Sequence, residues 1–254
     1  MEKLIGISRL FFAAAHIFAG ALMVGGCFFW TNTDQQNRLK LWWSSAMMSL
    51  LGVKLRKSGN VPKTYSGGAL VVANHISFVD IFAISSVIPA TFVSKSDVTS
   101  WPILGWMAAK AGTLFIERGS RRAAHRVQEQ MVERLLDGHI VAIFPEGTTS
   151  NGKAVLPFHA ALLQSAIDAK ADVVCVSLSY LDRDGQPSER AAYVGDKTLL
   201  ACLWQIVTSG GLQVRIRWTE TLSAPHGDRR HLSSHAHRVI AHSLAESHEN
   251  KEDR

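Results

Sequence analysis

The sequence predicts an α/β protein: a mixed sheet flanked by helices, preceded by an N-terminal membrane-associated helical segment. Three observations lead there. From residue 69 onward, short apolar runs of strand length alternate with segments of helical period, as in a sheet with helices packed on it. Residues 10–30 form an apolar run with one ionisable side chain, His16, and about 20 such residues suffice to cross a bilayer core. The chain has 254 residues and 47% hydrophobic content, enough for one large domain with an appendage.

The elements follow in order. Residues 41–53 form a second apolar stretch, too short to span, in which Trp42 and Trp43 beside Arg38 and Lys40 suit a membrane interface. Lys54, Arg56 and Lys57 follow, so the positive charge lies on the C-terminal side of the apolar run, and that side is expected in the cytoplasm. The same stretches also fit a helical hairpin packed on the soluble domain or lying in one leaflet. A Lys3/Arg9 flank before an apolar run resembles a secretory signal as well, but the run continues past Cys27 into Phe28-Phe29-Trp30.

Residues 69–73 read as a buried strand. Residues 78–87 read as a helix that ends before Pro89, and 90–94 as a second strand. A short helix over 102–111 has Pro102 at its start and Gly112 after its end. Residues 114–116 are a strand, and 121–136 a helix with Ala124, Val127, Met131 and Leu135 as its apolar positions, stopped at Gly138. A strand over 140–144 comes next, then a helix opened by Pro157 that runs to Ala169, then strands over 172–180 and 213–219. Residues 226–254 read as a charged, solvated tail, helical and frayed. The units expected are 1–57 for the anchoring segment, 58–225 for the α/β domain and 226–254 for the tail.

A net charge of +6 suits nucleic acid, anionic lipid or a phosphorylated substrate. No zinc-finger spacing or aromatic-basic RNA-binding strand occurs, so no nucleic-acid partner is expected. Three widely spaced cysteines in apolar settings argue for a reduced compartment and no disulfide, and no metal site is expected. The five histidines between His231 and His248 read as part of the solvated tail.

The chemistry centres on His75, which directly follows a strand, and Asp80 in the next helix. Within one helix the two would point about 140° apart, at about 100° per residue. The pair works if His75 lies in the turn before the helix, with Ser77 as N-cap and Asp80 at the third helical position, reaching back to the ring. Asp80 then fixes the tautomer and leaves the other ring nitrogen as a base. Neither a serine nor a cysteine is clearly positioned as nucleophile, and no G-x-S-x-G elbow occurs. The direct reading is that His75 deprotonates the hydroxyl of a bound acceptor, which attacks a thioester. Two further blocks matter: Gly112-Thr113-Leu114-Phe115-Ile116-Glu117-Arg118 ends a strand with an arginine that can hold phosphate bidentately, and Phe144-Pro145-Glu146-Gly147-Thr148-Thr149-Ser150 follows a strand with a glycine that lets backbone N–H groups approach a ligand. Glu146 is expected either to bind acceptor hydroxyls or to order this loop.

In this order and spacing the blocks resemble the glycerolipid acyltransferase family that includes the 1-acylglycerol-3-phosphate acyltransferases, with its N-H-x4-D, G-x-x-F-x-x-R and F-P-E-G-T-x-S patterns. The resemblance covers residues 70–180 well and extends weakly to 222. It implies a base at His75 oriented by Asp80, acceptor binding by Arg118, Glu146, Gly147 and Thr148, and Lys95 near the site. It implies acyl-CoA or acyl carrier protein as thioester co-substrate, no further cofactor, a lysolipid acceptor, and an active site on the cytoplasmic face of the inner membrane. Two positions depart from the pattern. Thr149 stands where many members have arginine, and Cys175 stands where the fourth block usually holds proline. The Thr-Thr-Ser version also resembles bacterial enzymes that acylate lyso-ornithine lipid. A membrane-anchored lysophospholipid hydrolase and a non-catalytic lipid-binding protein are the readings from other classes. The first lacks a nucleophile, and the second would need no base.

Overall fold

The computed structural model describes residues 2–26, 28–61, 68–117 and 119–249. The strands are β1 (Val53–Gly59), β2 (Ala69–Ala73), β3 (Thr91–Lys95), β4 (Leu114–Ile116), β5 (Ile140–Ile143), β6 (Asp172–Leu181) and β7 (Leu212–Leu222). They form one seven-stranded sheet in the order β1-β7-β6-β2-β5-β3-β4. Strands β6, β2, β5, β3 and β4 run parallel, while β7 is antiparallel to β6 and carries β1 parallel beside it. The sheet is therefore mixed, as expected.

Side chains alternate between two cores because successive strand residues point to opposite faces. Val71 of β2 joins one core with Val174 and Leu178, whereas Leu70 and Val72 join the other with Val173 and Cys175. Helices α1 (Glu2–Gly26), α2 (Thr33–Leu50), α3 (Val79–Ser85) and α7 (Leu199–Val207) supply the first face. Helices α5 (Arg121–Leu136), α6 (Gln164–Asp168) and α8 (Arg229–Glu249) supply the second, and α4 (Leu104–Lys110) packs against α1.

Several elements differ from the sequence reading, each for a physical reason. Residues 53–59 form edge strand β1 instead of a basic flank, so a boundary at residue 57 would cut a strand. Lys54 and Lys57 leave its outer side charged, as edge strands require. The helix expected from Pro157 begins only at Ala160, as a 3-10 turn continuing into α6, because the His159 amide bonds the Pro145 carbonyl and holds that stretch extended. On α5 the buried stripe is Ala123, Val127, Met131 and Leu135, so Ala123 faces inward in place of Ala124. The C-terminal helix is no solvated tail. Leu232, Ala236, Ile240 and Leu244 are buried at four-residue spacing, and Ser243 hydrogen-bonds Ser177 of β6 at 2.7 Å. Helix α7 was not anticipated.

Candidate active site

The His75–Asp80 and Phe144–Ser150 motifs fall at one edge of the sheet, because β2 and β5 are parallel and each motif follows its strand. Ligands in such sheets bind outside the carboxyl ends of the strands. Asn74 prolongs β2 by a side-chain imitation of strand pairing: its Nδ2 donates to the Leu178 carbonyl at 3.0 Å and its Oδ1 accepts the Leu178 amide at 2.7 Å. This clamp leaves His75 as the first residue free to turn out of the sheet.

The His75 ring stacks on Phe144, the residue after β5, with centroids 4.0 Å apart and planes 10° from parallel. Its Nδ1 lies 2.9 Å from Asp80 Oδ2. That oxygen also accepts the Ile76 amide at 2.7 Å and the Ser77 amide at 2.9 Å, while Oδ1 accepts the Tyr180 hydroxyl at 2.6 Å. Asp80 is fully buried. Three other donors converge on it, so it accepts toward His75 as well. Nδ1 therefore carries the ring proton, and neutral Nε2 presents its lone pair. Burial and the neighbouring Asp80 push the Tyr180 phenol well above its ordinary range, which keeps it a donor. The N-cap expectation is corrected here. Helix α3 starts at Val79 with Phe78 as its cap residue, and the Ser77 hydroxyl accepts the Val79 amide. Ser77 is completely buried on the Asp80 side and is no nucleophile.

Glu146 is 4% exposed, and each carboxylate oxygen takes one backbone amide: His75 at 2.8 Å and Leu156 at 3.1 Å. It ties the His75 turn to the loop after β5. This geometry orders the loop, one of the two roles expected of Glu146. Burial, with Asp80 adding to it, raises its pKa to about 7 despite the two N–H donors. The native carboxyl thus holds its proton more tightly than the unfolded one, whose value is 4.5. Its stabilising contribution is complete below about 4.5 and is lost as pH rises through about 7, on the order of 3 kcal/mol across that window. Glu146→Gln removes the titration, so its thermal midpoint should fall less steeply than that of the parent protein between those pH values. Parallel midpoint curves would exclude this linkage.

The remaining expected residues are distributed as follows. Lys95 closes β3 at the same sheet edge. Gly147 adopts φ +66°, and its amide bonds the Phe144 carbonyl in the turn. Thr148 is exposed beside it. Arg118 lies outside the described residues. Thr149 does not face outward as a substitute for arginine, since its hydroxyl donates to the Tyr193 carbonyl and pins the 193 loop. Cys175 is buried in the opposite core with its thiol pushed up to about 12 by burial and by Glu220, so it is inert. Among the described residues no serine hydroxyl or cysteine thiol hydrogen-bonds the His75 ring, and none of the acidic, histidine or cysteine side chains form a metal-binding group. Sequence reasoning missed Tyr180, although a tyrosine in an apolar strand signals a buried hydroxyl that needs a partner.

Beside this polar edge lies a cavity of about 300 Å³ with almost entirely apolar walls from α1, α2, α3, α4 and the sheet. Phe92 lines it and stacks on Phe144 at 6.1 Å, so aromatic rings lead from His75 to the cavity wall.

A family model described as Acyltransferase matches residues 52–179. The chain is 39% identical over 207 residues to a 1-acyl-sn-glycerol-3-phosphate acyltransferase of Neisseria meningitidis, covering 82% of this chain and 78% of that one. It is 38% identical over 208 residues to a lyso-ornithine lipid O-acyltransferase of Pseudomonas aeruginosa, covering 82% and 79%. The crystal structure of the 1-acyl-sn-glycerophosphate acyltransferase of Thermotoga maritima superposes with a TM-score of 0.73 over 100% of both chains at 21% identity, and so shares the fold. With its family model spanning the strand edge that carries the His75–Asp80 pair, this chain belongs to the acyltransferase family.

Proposed function

We propose that the protein moves a fatty acyl group from an acyl-CoA or acyl carrier protein thioester to the free hydroxyl of a lysolipid, with His75 as general base. The observation that carries this reading is the Tyr180–Asp80–His75 chain, which leaves Nε2 as a base with no nucleophile beside it among the described residues. Nε2 takes the hydroxyl proton, the oxygen attacks the thioester carbonyl, and the carbon–sulfur bond breaks. The proton returns to the departing thiolate, leaving an ester and a free thiol. The apolar cavity takes the acyl chain.

Two acceptors remain in view, each by likeness to named relatives: 1-acyl-sn-glycerol-3-phosphate, giving phosphatidate, and lyso-ornithine lipid. The engaged Thr149 hydroxyl favours the second, because it supplies neither a cation nor a free donor for phosphate. Palmitoyl-CoA and palmitoyl carrier protein offered with both acceptors decide the matter. Phosphatidate assigns the glycerophospholipid reading, acylated ornithine lipid assigns the other, and thioester breakdown without either product refutes both.

Helix α1 is long and apolar enough to cross a membrane, which points to membrane association. We place it in one leaflet at the cytoplasmic face of the inner membrane. It lies along the domain at both ends. A Cβ on Gly6 would sit 2.6 Å from Thr208 Cγ2, and one on Gly20 would sit 2.5 Å from Trp43 Nε1. Crossing the bilayer would require α1 to leave α2, α4 and α7. Its outer side exposes Leu4, Phe11, Phe12, Phe18 and Leu22 instead. Replacing Phe11 and Phe18 by serine should weaken binding to anionic vesicles at least about tenfold with an unchanged thermal midpoint. Unchanged flotation would refute this face as the membrane contact.

A further inference from the structure

Helix α5 carries an exposed row of arginines that its own stability does not call for. The helix dipole favours acidic side chains in a first turn, yet α5 has none there and opens with Arg121 and Arg122. Arg126 follows Arg122 at the four-residue spacing that brings like charges together on one side of a helix, where they repel. All three arginines are exposed. No acidic residue occurs between Arg118 and Glu129. The neighbouring carboxylates are engaged elsewhere: Glu129 lies 3.2 Å from His125, and Asp168 accepts from Gln128 and Gln164. Among the described residues no ion pair or hydrogen bond engages the guanidinium groups of Arg121, Arg122 or Arg126.

The fold puts this row beside the site but on the side away from α1. Residues 117–120 join β4 to α5, so the first turns of α5 stand at the carboxyl ends of the parallel strands, where His75 leaves β2. In the order β2-β5-β3-β4, three strand spacings separate β2 from β4, roughly 14 Å at about 4.8 Å each. Val127, Met131 and Leu135 turn α5 into the second core and leave the arginines in water. Helix α1 packs over the opposite sheet face, in the first core, with its exposed apolar side outward. A protein resting on lipid through α1 therefore holds these arginines away from the bilayer. None of the three lines the apolar cavity. Small molecules bind in concave sites, whereas a row on the outside of a helix suits the surface of another protein.

We propose that Arg121, Arg122 and Arg126 dock an acidic acyl carrier protein, which delivers its thioester to His75 from the side away from the lipid. This rests on the reading of the protein as a thioester-dependent acyltransferase. A carrier protein holds its acyl group at the end of a flexible pantetheine arm, so it can land on α5 while the arm crosses the edge of the sheet to His75. Acyl-CoA has no protein surface to set against the row. Opposite charges on two protein surfaces speed their encounter and fix its register, and salt weakens both effects.

The test compares the full-length protein with its Arg122→Glu/Arg126→Glu double variant, using palmitoyl carrier protein and palmitoyl-CoA as donors to both lysolipids at low and high salt. Binding of palmitoyl carrier protein is measured separately, and thermal midpoints check folding, which acidic residues near the start of α5 should not harm. At low salt the double variant should raise the KM for palmitoyl carrier protein at least about tenfold and leave kcat and the KM for palmitoyl-CoA unchanged. High salt should shrink the difference. Equal KM values for the carrier protein in both forms overturn the proposal, and so does a parent protein that accepts palmitoyl-CoA alone. An equal rise with both donors overturns it too, because the arginines then serve something other than the carrier surface. Weaker flotation of the double variant with anionic vesicles would make α5 a lipid contact and overturn it as well. Carrier binding that the double variant loses, with no transfer from either donor by any form, would sustain the docking surface and overturn the transferase reading, so the two failures are distinguishable.

Discussion

His75→Ala is expected to abolish acyl transfer while leaving the fold intact. General-base assistance is worth about 10²–10⁴-fold, and no neighbouring group is placed to replace it. Cys175 and Cys202 are buried with raised pKa values, Ser77 is enclosed, and Glu146 is occupied by two amides. The fold should survive because the His75 side chain is 19% exposed, and its backbone bonds to Glu146 and Ser150 do not need the ring. The ring's stacking on Phe144 is lost, at about 0.5–1.5 kcal/mol. Initial rates with palmitoyl thioester, alongside thermal midpoints, make the comparison. A variant that folds and still transfers within a factor of ten of the parent would remove His75 from the mechanism and leave the Asp80 network as a purely structural device.

The His75–Asp80 pair was legible because its signal is local. A histidine after an apolar run, with a carboxylate five positions on, needs only one turn to meet, and α3 begins within a residue or two of where the pattern places it. Strands β2 and β4 and helix α5 were legible for the same reason: apolar runs or stripes bounded by glycine or a cap. What escaped depends on partners distant in the chain. Tyr180 reaches Asp80 across 100 positions, and Asn74 pairs with Leu178 across 104. β1 looks like a basic flank until β7 is beside it. In α8 a buried stripe of Leu232, Ala236, Ile240 and Leu244 is diluted by histidines and serines, so composition hides it while packing reveals it. Glu146 illustrates the same limit within the site. A carboxylate beside a glycine reads equally as ligand-binding or loop-ordering, and only the positions of the His75 and Leu156 amides show that each of its oxygens holds a backbone N–H.

Asp80 should separate charge from tautomer, and its two substitutions should diverge. In Asp80→Asn the side-chain oxygen has a unique best position. The atom now at Oδ2 must accept three N–H groups, from His75, Ile76 and Ser77, so the amide oxygen goes there and the NH2 faces Tyr180. The tyrosine hydroxyl can turn and accept. The ring proton therefore stays on Nδ1, and the tautomer needed for catalysis is retained, unlike in a serine-protease triad, where the corresponding change reverses it. What disappears is the negative charge facing the imidazolium formed as His75 takes up a proton. Turnover should thus fall by about 10²-fold, toward the lower end of the general-base range, with KM and the thermal midpoint little changed. In Asp80→Ala the buried donors of Ile76, Ser77 and Tyr180 lose their acceptor. At about 1–3 kcal/mol for each orphaned group, that is a loss of several kcal/mol, comparable to a domain's whole stability margin, and the protein should unfold or fail to accumulate. Kinetics and thermal denaturation of the two variants side by side test the network. An Asn variant as unstable as the Ala variant would mean that the amide cannot take the inferred orientation, and one with undiminished turnover would mean that the buried charge does not assist His75.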